Sequence, residues 1–382
     1  AMQYQKDYKV VPVLKEIYSD IRTPMQVLKI LKKASKHCYM LESVENQENW
    51  GRYTFLGYKP KLCVTCMNGT LKVTDVNGTV IREELVQHPE ACINEILADY
   101  KSPKIEGFPT FTGGLVGYFA YDYIKYSEPT LKLDAEDQEH FKDVDLMLFD
   151  KVIAFDNIKQ KIIIMVTVKT DELEKNYEKA VQTIKKIAKL IIRGDMKKEQ
   201  PGYLKTEFKP LFQKDEYCRM VENAKEYIYQ GDIFQVVLSN RLEAEMEGSL
   251  FDTYRLLRST NPSPYMFYFD GDTIEVAGAS PETLVKVEDG VLHTFPLAGT
   301  RPRGKTKVED LELEKSLMAD EKELAEHNML VDLGRNDIGK ISRIGTVEVE
   351  KYMSIERYSH VMHIGSTVRG VIREDADALD AV

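Results

Sequence analysis

Cysteine is scarce in this chain, with five residues in 382 (Cys38, Cys63, Cys66, Cys92 and Cys218). That odd, scattered set excludes a disulfide-stapled secreted scaffold and suits a reducing compartment. Long apolar runs are missing too: nothing approaches the about 18 residues a membrane-crossing helix needs. The opening AMQYQKDYKV has neither a basic n-region nor an apolar h-region. We expect a soluble, cytoplasmic protein with no membrane partner. Positive charge is also in deficit: 52 Lys and Arg face 62 Asp and Glu, for a formal charge of −10 and a pI near 5.4. A nucleic-acid surface wants the opposite balance, so no nucleic acid is expected as a partner. An anionic substrate would need local cations or a metal to overcome that background. Internal repeats and low-complexity segments are absent.

Cys63 and Cys66 form a CxxC inside KLCVTCMNGTLKV, which reads as a hairpin strand. Residues three apart in a strand face opposite ways, and no second Cys or His pair follows at zinc spacing. GGLVG (113–117) lacks the GxGxxG spacing and no Gly-Lys-Ser/Thr follows. Its glycines fit a strand with a close backbone contact better than a phosphate cradle.

At 382 residues the chain suits one large intertwined domain or two ordinary ones. The charged, Pro/Gly-punctuated stretch 193–210 is the best linker, separating an N-terminal region 1–192 from a second region 211–382. Residues 26–37 and 173–191 carry helical apolar stripes. CYMLES, RYTFLGY, KLCVTCM and TLKVTDVNGTVIRE, with its Asn77-Gly78 turn, read as strands. VDLMLFDKVIAFD and KQKIIIMVTV read as a hairpin across Asn157. A helix over 213–230 opens the second region, followed by further strand-like segments. Many antiparallel strands with interspersed long helices give an α+β class rather than a parallel βαβ series.

Leu311–Ile341 reads as a long helical run with a dense group of charges: Asp320, Glu321, Glu323, Glu326 and His327. Glu323 and Glu326, three apart, project from one side of a helix. A solvated face balanced by Lys315 and Lys322 and half of a Mg²⁺ site both fit, since Mg²⁺ takes one or two carboxylates and keeps waters. TFPLAGTRPRG (294–304) is stiffened by Pro296 and Pro302. Its Gly299 and Thr300 could approach and donate to a carboxylate, while an ordinary strand exit fits as well.

PLAGTRPRG, then ADEKELAEHNMLVDLGRNDIGKI and RYSHVMHIGSTVRG, resemble the chorismate-utilising enzymes, specifically the large subunits of anthranilate synthases. MLESVE…GRYTFLGY (40–58), GGLVGYFAYDY, GDIFQVVLSNR (231–241), NPSPYMFY (261–268) and GASPE (278–282) fall in that family's order. The resemblance implies two antiparallel sheets packed within layers of helices, with the halves interleaved. It implies that chorismate gains ammonia at ring C2, loses its C4 hydroxyl, and then loses pyruvate to leave anthranilate. By the same resemblance, Mg²⁺ is held by Glu326 with Glu323 behind it, and Gly299 and Thr300 contact substrate. The resemblance also implies that His363 is the active-site histidine and that Glu282 is the acid that protonates the departing hydroxyl. Aminodeoxychorismate synthases, the main alternative, carry a lysine where Ala298 stands. Isochorismate and salicylate synthases carry a water-activating lysine where Gln235 stands. Leu41, Glu42 and Ser43 with Pro264, Tyr265 and Met266 match a tryptophan-binding inhibitor pocket, and a separate glutamine amidotransferase subunit is implied as ammonia source. Family members continue beyond ALDAV, so the expected catalytic region is partial at its C-terminus. A polypeptide ending at Val382 is expected not to make anthranilate alone, and a non-catalytic tryptophan-binding module is the reading from another class.

Overall fold

The computed structural model describes residues 2–43, 51–128, 130–133, 135, 137–271 and 273–382. The chain divides into two compact units, Ala1–Lys197 with Leu257–Val382, and Lys198–Leu256. The second unit therefore begins inside the stretch expected as a linker and returns to the first at Leu257.

In the first unit, seven strands make one sheet: β1 (Val10–Tyr18), β2 (Cys38–Glu42), β3 (Tyr53–Tyr58), β9 (Lys151–Asp156), β10 (Lys161–Lys169), β15 (Tyr265–Asp270) and β16 (Glu275–Ser280). Their spatial order is β1-β10-β9-β3-β2-β15-β16, all antiparallel. A second sheet, ordered β6-β5-β4-β8-β7, contains β4 (Leu62–Met67), β5 (Thr70–Asp75), β6 (Val80–Leu85), β7 (Gly114–Phe119) and β8 (Val144–Phe149). Tyr39 and Phe269 of the first sheet pack against Val116, Met147 and Phe149 of the second in one apolar cluster. The run 144–156, which reads as one strand, is two: at Asp150 the chain passes from the second sheet to the first. Both strands are buried on both faces, so their hydrophobicity gives no sign of the switch.

Helix α1 (Pro24–Ala34) and helix α4 (Leu173–Arg193) lie on the first sheet. Thr23 caps α1 in a reciprocal box with Gln26, worth about 1 kcal/mol. Lys32 of α1 is buried, with its ammonium bonded to the Tyr268 hydroxyl, 3.0 Å from Glu275 and 3.1 Å from Asp270. Burial works to lower its pKa, but Asp270 and Glu275 outweigh that and the net shift is upward. A charged clasp thus fixes α1 to the β15–β16 hairpin. The short helices α2 (Pro89–Asp99) and α3 (Ile124–Ser127) belong with the second sheet. Cys63 and Cys66 pack into different apolar clusters, on opposite faces of β4. In β7, a Cβ on Gly117 would lie 1.9 Å from the Asp145 carbonyl oxygen, so the glycine permits the close pairing with β8.

The second unit holds α5 (Lys214–Gln230) and two small ribbons, β11 (Tyr203–Leu204) with β14 (Met246–Glu247), and β12 (Lys209–Pro210) with β13 (Leu242–Glu243). Helix α6 (Phe251–Thr260) carries the chain back into the first unit. There a third antiparallel sheet contains β17 (Lys286–Glu288), β18 (Val291–Thr294), β19 (Leu297–Pro302), β20 (Glu348–Arg357) and β21 (Val361–Val371). It carries α7 (Lys307–Met318) and α8 (Glu321–Ile341) on one face. The class is α+β, with three principal antiparallel sheets among the described residues of this unit where two were expected.

Candidate functional site

The single helix expected over Leu311–Ile341 is interrupted at Ala319 and Asp320. Asp320 is the N-cap of α8, accepting from the backbone N–H groups of Lys322 and Glu323. Its other oxygen accepts from Arg301 Nη2 at 2.9 Å. The Arg301 guanidinium and the cap bonds hold its carboxyl below the usual range. One carboxylate of the acidic cluster is therefore structural, and it ties the start of α8 to β19.

His327, Val331, Gly334 and Ile338 form the buried stripe of α8. His327 is wholly buried, and its Nε2 lies 2.7 Å from Ser366 Oγ of β21, which also accepts from the Met353 N–H. Burial pushes the pKa of this imidazole down. Val331 and Ile338 pack with Leu292 and Val368, while Leu324 joins Leu317, Met362 and Ile364. These contacts fix α8 in register on the even-numbered face of β21, leaving Glu323 and Glu326 half-buried beside the stripe.

Gly299 is where the helix and the sheet's other side chains come together. Ala298 pairs with Ile364 and Thr300 with His363, so Gly299 is the extra residue of a bulge, at φ +66°. A Cβ there would lie 3.2 Å from Glu323 Oε2 and 3.0 Å from Leu317 Cδ1. From the other side, His363 Nδ1 lies 2.8 Å from the Gly299 carbonyl oxygen and 3.2 Å from Thr300 Oγ1. A carbonyl only accepts, so Nδ1 carries the proton and Nε2 holds the lone pair of the neutral ring. The Tyr358 ring sits 5.6 Å from the imidazole, centroid to centroid. Gly299, Thr300, His363 and Glu323 are thus brought together.

Glu326 stays beside Glu323 at helical spacing. Their donor set fits Mg²⁺, which needs one or two protein carboxylates and completes its octahedron with water and ligand oxygens. Among the described residues, no three His, Cys, Asp or Glu side chains gather into a closed metal cage. Glu282 follows the end of β16, exposed, with its N–H bonded to Ser280 Oγ. Gln235 belongs to the second unit, in the segment between α5 and β13.

The two segments expected to form an inhibitor pocket, 41–43 and 264–266, are 221 or more positions apart (264 − 43), yet they meet on adjacent strands. Glu42 pairs with Met266 and Leu41 with Phe267. The pleat divides the set: Glu42 and Met266 share the face on which Tyr268 meets Lys32, whereas Leu41 points to the cluster between the two sheets. Tyr265 bonds Thr283 through its hydroxyl at 2.6 Å, and Pro264 is buried. Arg258 of α6 holds both oxygens of Glu42, donating from Nε to Oε1 and from Nη2 to Oε2, the latter at 2.7 Å.

The chorismate binding enzyme family matches residues 86–382. An anthranilate synthase component 1 from Acetivibrio thermocellus is 43% identical over 99% of this chain and 77% of its own length. One from Acinetobacter calcoaceticus is 42% identical over 98% of this chain and 76% of its own. The chain belongs to the anthranilate synthase component 1 family of chorismate-binding enzymes. The crystal structure of an anthranilate synthase component I from Streptococcus pneumoniae is similar to this chain, with TM-score 0.72 and 34% identity, covering 96% of this chain and 78% of that one. An isochorismate synthase from Escherichia coli, at 16% identity and TM-score 0.64, shares the fold.

In this member of the family, sequence reasoning missed Arg258, Lys32 and the use of Asp320 as a cap. For Asp320 a signal existed: Asp-x-x-Glu ahead of an apolar stripe marks a helix start. For Arg258 and Lys32 there was none, because their partners are remote in sequence.

Proposed function

We propose that this chain works as the large subunit of an anthranilate synthase, a lyase of tryptophan biosynthesis converting chorismate and ammonia to anthranilate, pyruvate and water. The observation that carries this reading is the convergence of Gly299, Thr300, His363 and Glu323 in a chain 43% identical to an anthranilate synthase component 1. Ala298 supports it over aminodeoxychorismate synthesis, because a buried methyl group in β19 offers no amine nucleophile. Gln235 has no basic nitrogen with which to activate water, while ammonia is already a nucleophile.

Gly299 admits the substrate close to the main chain, and the Thr300 hydroxyl positions it. His363 is oriented through Nδ1, which presents Nε2 to take or return a proton around the leaving groups. Glu282 gives its proton to the departing C4 hydroxyl, which leaves as water once ammonia has bonded to C2. Loss of the ring proton and protonation of the enolpyruvyl side chain then release pyruvate and make the ring aromatic. Glu326, supported by Glu323, would hold Mg²⁺, which would neutralise the substrate's carboxylate charge.

Leu41, Glu42, Ser43, Pro264, Tyr265 and Met266 are proposed as an L-tryptophan site for feedback control, and the relatives' designation as component 1 supports a glutamine amidotransferase as the second component. No helix among the described residues is long and apolar enough to cross a membrane, and a cytoplasmic location accords with that.

Calorimetric titration with chorismate in Mg²⁺, followed by ammonium addition with anthranilate fluorescence as readout, tests the reading. Mg²⁺-dependent chorismate binding is expected. Tryptophan binding without chorismate binding would overturn the enzymatic reading in favour of a regulatory module.

A further inference from the structure

Both arginines that follow the Gly299 bulge are engaged by aspartates at helix starts. Arg301 holds Asp320 at the N-cap of α8, and Arg303 holds Asp310 in the first turn of α7. The second pair reaches further. Arg303 Nε and Nη2 donate to the two Asp310 oxygens, each at 2.9 Å, and the Gly304 N–H adds a bond to that carboxylate at 2.8 Å. A planar guanidinium anchored along one side has its remaining terminal nitrogen aimed in a fixed direction. That nitrogen, Nη1, donates to the Tyr358 carbonyl oxygen at 2.7 Å, and the Arg303 main-chain N–H donates to the His360 carbonyl oxygen at 3.0 Å. One residue thus grips the turn between β20 and β21 at two carbonyls. Arg357, which ends β20, bonds Glu314 one helical turn beyond Asp310, so α7 holds the same turn through a second arginine.

Tyr358 is where this clamp meets the site, and its consequence for catalysis rests on the role proposed for His363. Glu356 faces His363 across the two strands, and Tyr358 lies two residues further along the same face. Its ring is a diagonal neighbour of the imidazole, 5.6 Å between centroids and 60° between planes. The Gly299 carbonyl and the Thr300 hydroxyl hold the imidazole at Nδ1. A ring held at one atom still tilts about that point, and the Tyr358 side chain limits the tilt. A side chain on a turn is a stop only as firm as the turn that carries it.

We propose that Arg303, anchored by Asp310, is a positioning residue for His363. It fixes the main chain at Tyr358, and the Tyr358 ring keeps Nδ1 on the Gly299 carbonyl, leaving Nε2 as the basic nitrogen. A staple that only fastened α7 to the sheet would add stability without touching the imidazole. A positioning device also decides which ring nitrogen carries the proton.

The test is nitrogen NMR of the intact chain carrying ring-¹⁵N histidine, at about pH 8.5, where imidazoles are neutral. The His363 signals are those missing from His363→Asn. Wild type should show one species, protonated at Nδ1 and not at Nε2. In Arg303→Gln the tautomer ratio should fall by about tenfold, the worth of one ordinary hydrogen bond, and in Tyr358→Ala likewise. Arg303→Lys keeps the charge without the planar fork and should restore part of the wild-type ratio. A folded Arg303→Gln with a lowered Tm and wild-type His363 signals would reduce the network to a staple and overturn the proposal. So would a mixture of tautomers in wild type. If Arg303→Gln does not fold, Asp310→Asn and Tyr358→Ala decide, and wild-type signals in either overturn it. Calorimetry with chorismate tests the reading of the site separately. A single His363 tautomer in a chain that binds no chorismate would overturn the catalytic role of His363 and leave the clamp standing.

Discussion

His363 Nδ1 faces the Gly299 carbonyl oxygen at 2.8 Å, so the main chain of the bulge decides which imidazole nitrogen is basic. Asparagine at 363 keeps a short amide donor for that carbonyl and removes the basic nitrogen. We expect His363→Asn to retain chorismate binding while, placed in a longer form of the protein that makes anthranilate, it lowers product formation by about 10²- to 10⁴-fold, the usual contribution of a positioned acid or base. Parallel titration and fluorescence assays separate the two effects. A matching collapse of binding would contradict the role.

Gly299→Ala acts twice. The left-handed φ of +66° costs an L residue about 1–2 kcal/mol, and the new methyl meets Glu323 Oε2 and Leu317 Cδ1. Urea unfolding should show a loss of that size, and chorismate affinity should fall because Glu323 is displaced. Unchanged affinity would detach Gly299 from the site.

Glu326→Gln and Glu323→Gln should weaken Mg²⁺ binding in the presence of chorismate, the latter by about 10- to 100-fold if it supports the ligating residue. Chelation should abolish the chorismate titration heat in wild type. Mg²⁺ affinity unaffected by either variant would remove the metal from this helix.

The Asp310 carboxyl is pulled down to about 2, chiefly by the bidentate Arg303 and then by the Gly304 N–H. Its depressed folded-state pKa gives a stabilisation present above the unfolded value of about 3.9 and lost as pH falls towards 2. Asp310→Asn should therefore lower Tm at pH 6 and flatten the fall of Tm between about pH 4 and pH 2. An acid limb identical to wild type would show that the Arg303 pair does not contribute to folding.

Local chemistry was legible in the sequence, and long-range pairing was not. The stripes of α1 and α4 and the Asn77-Gly78 turn announce themselves because their determinants lie within one or two turns of chain. Gly299, Thr300, Glu323 and His363 were found through motif resemblance, and their meeting at a bulge could not be read from composition. Within the dense group of charges nothing set Asp320 apart, because its partner Arg301 lies in β19, 19 positions earlier. Phe234–Leu238 has strand composition, yet among the described residues it joins no named strand. β-propensity needs a neighbouring strand to act on. The Glu42–Arg258 pair spans 216 positions, beyond any periodicity.

The place of β15 in the first sheet has a consequence for how the chain folds as it is made. Until residues 265–270 emerge, β2 has only β3 beside it and its other edge offers unpaired N–H and C=O groups. At about 5–20 residues per second, the more than 200 residues between Glu42 and Met266 keep that edge open for some ten seconds or longer. A nascent chain stalled in that interval presents a β-edge to other copies, so translation pauses before residue 265 are where self-association during synthesis would begin.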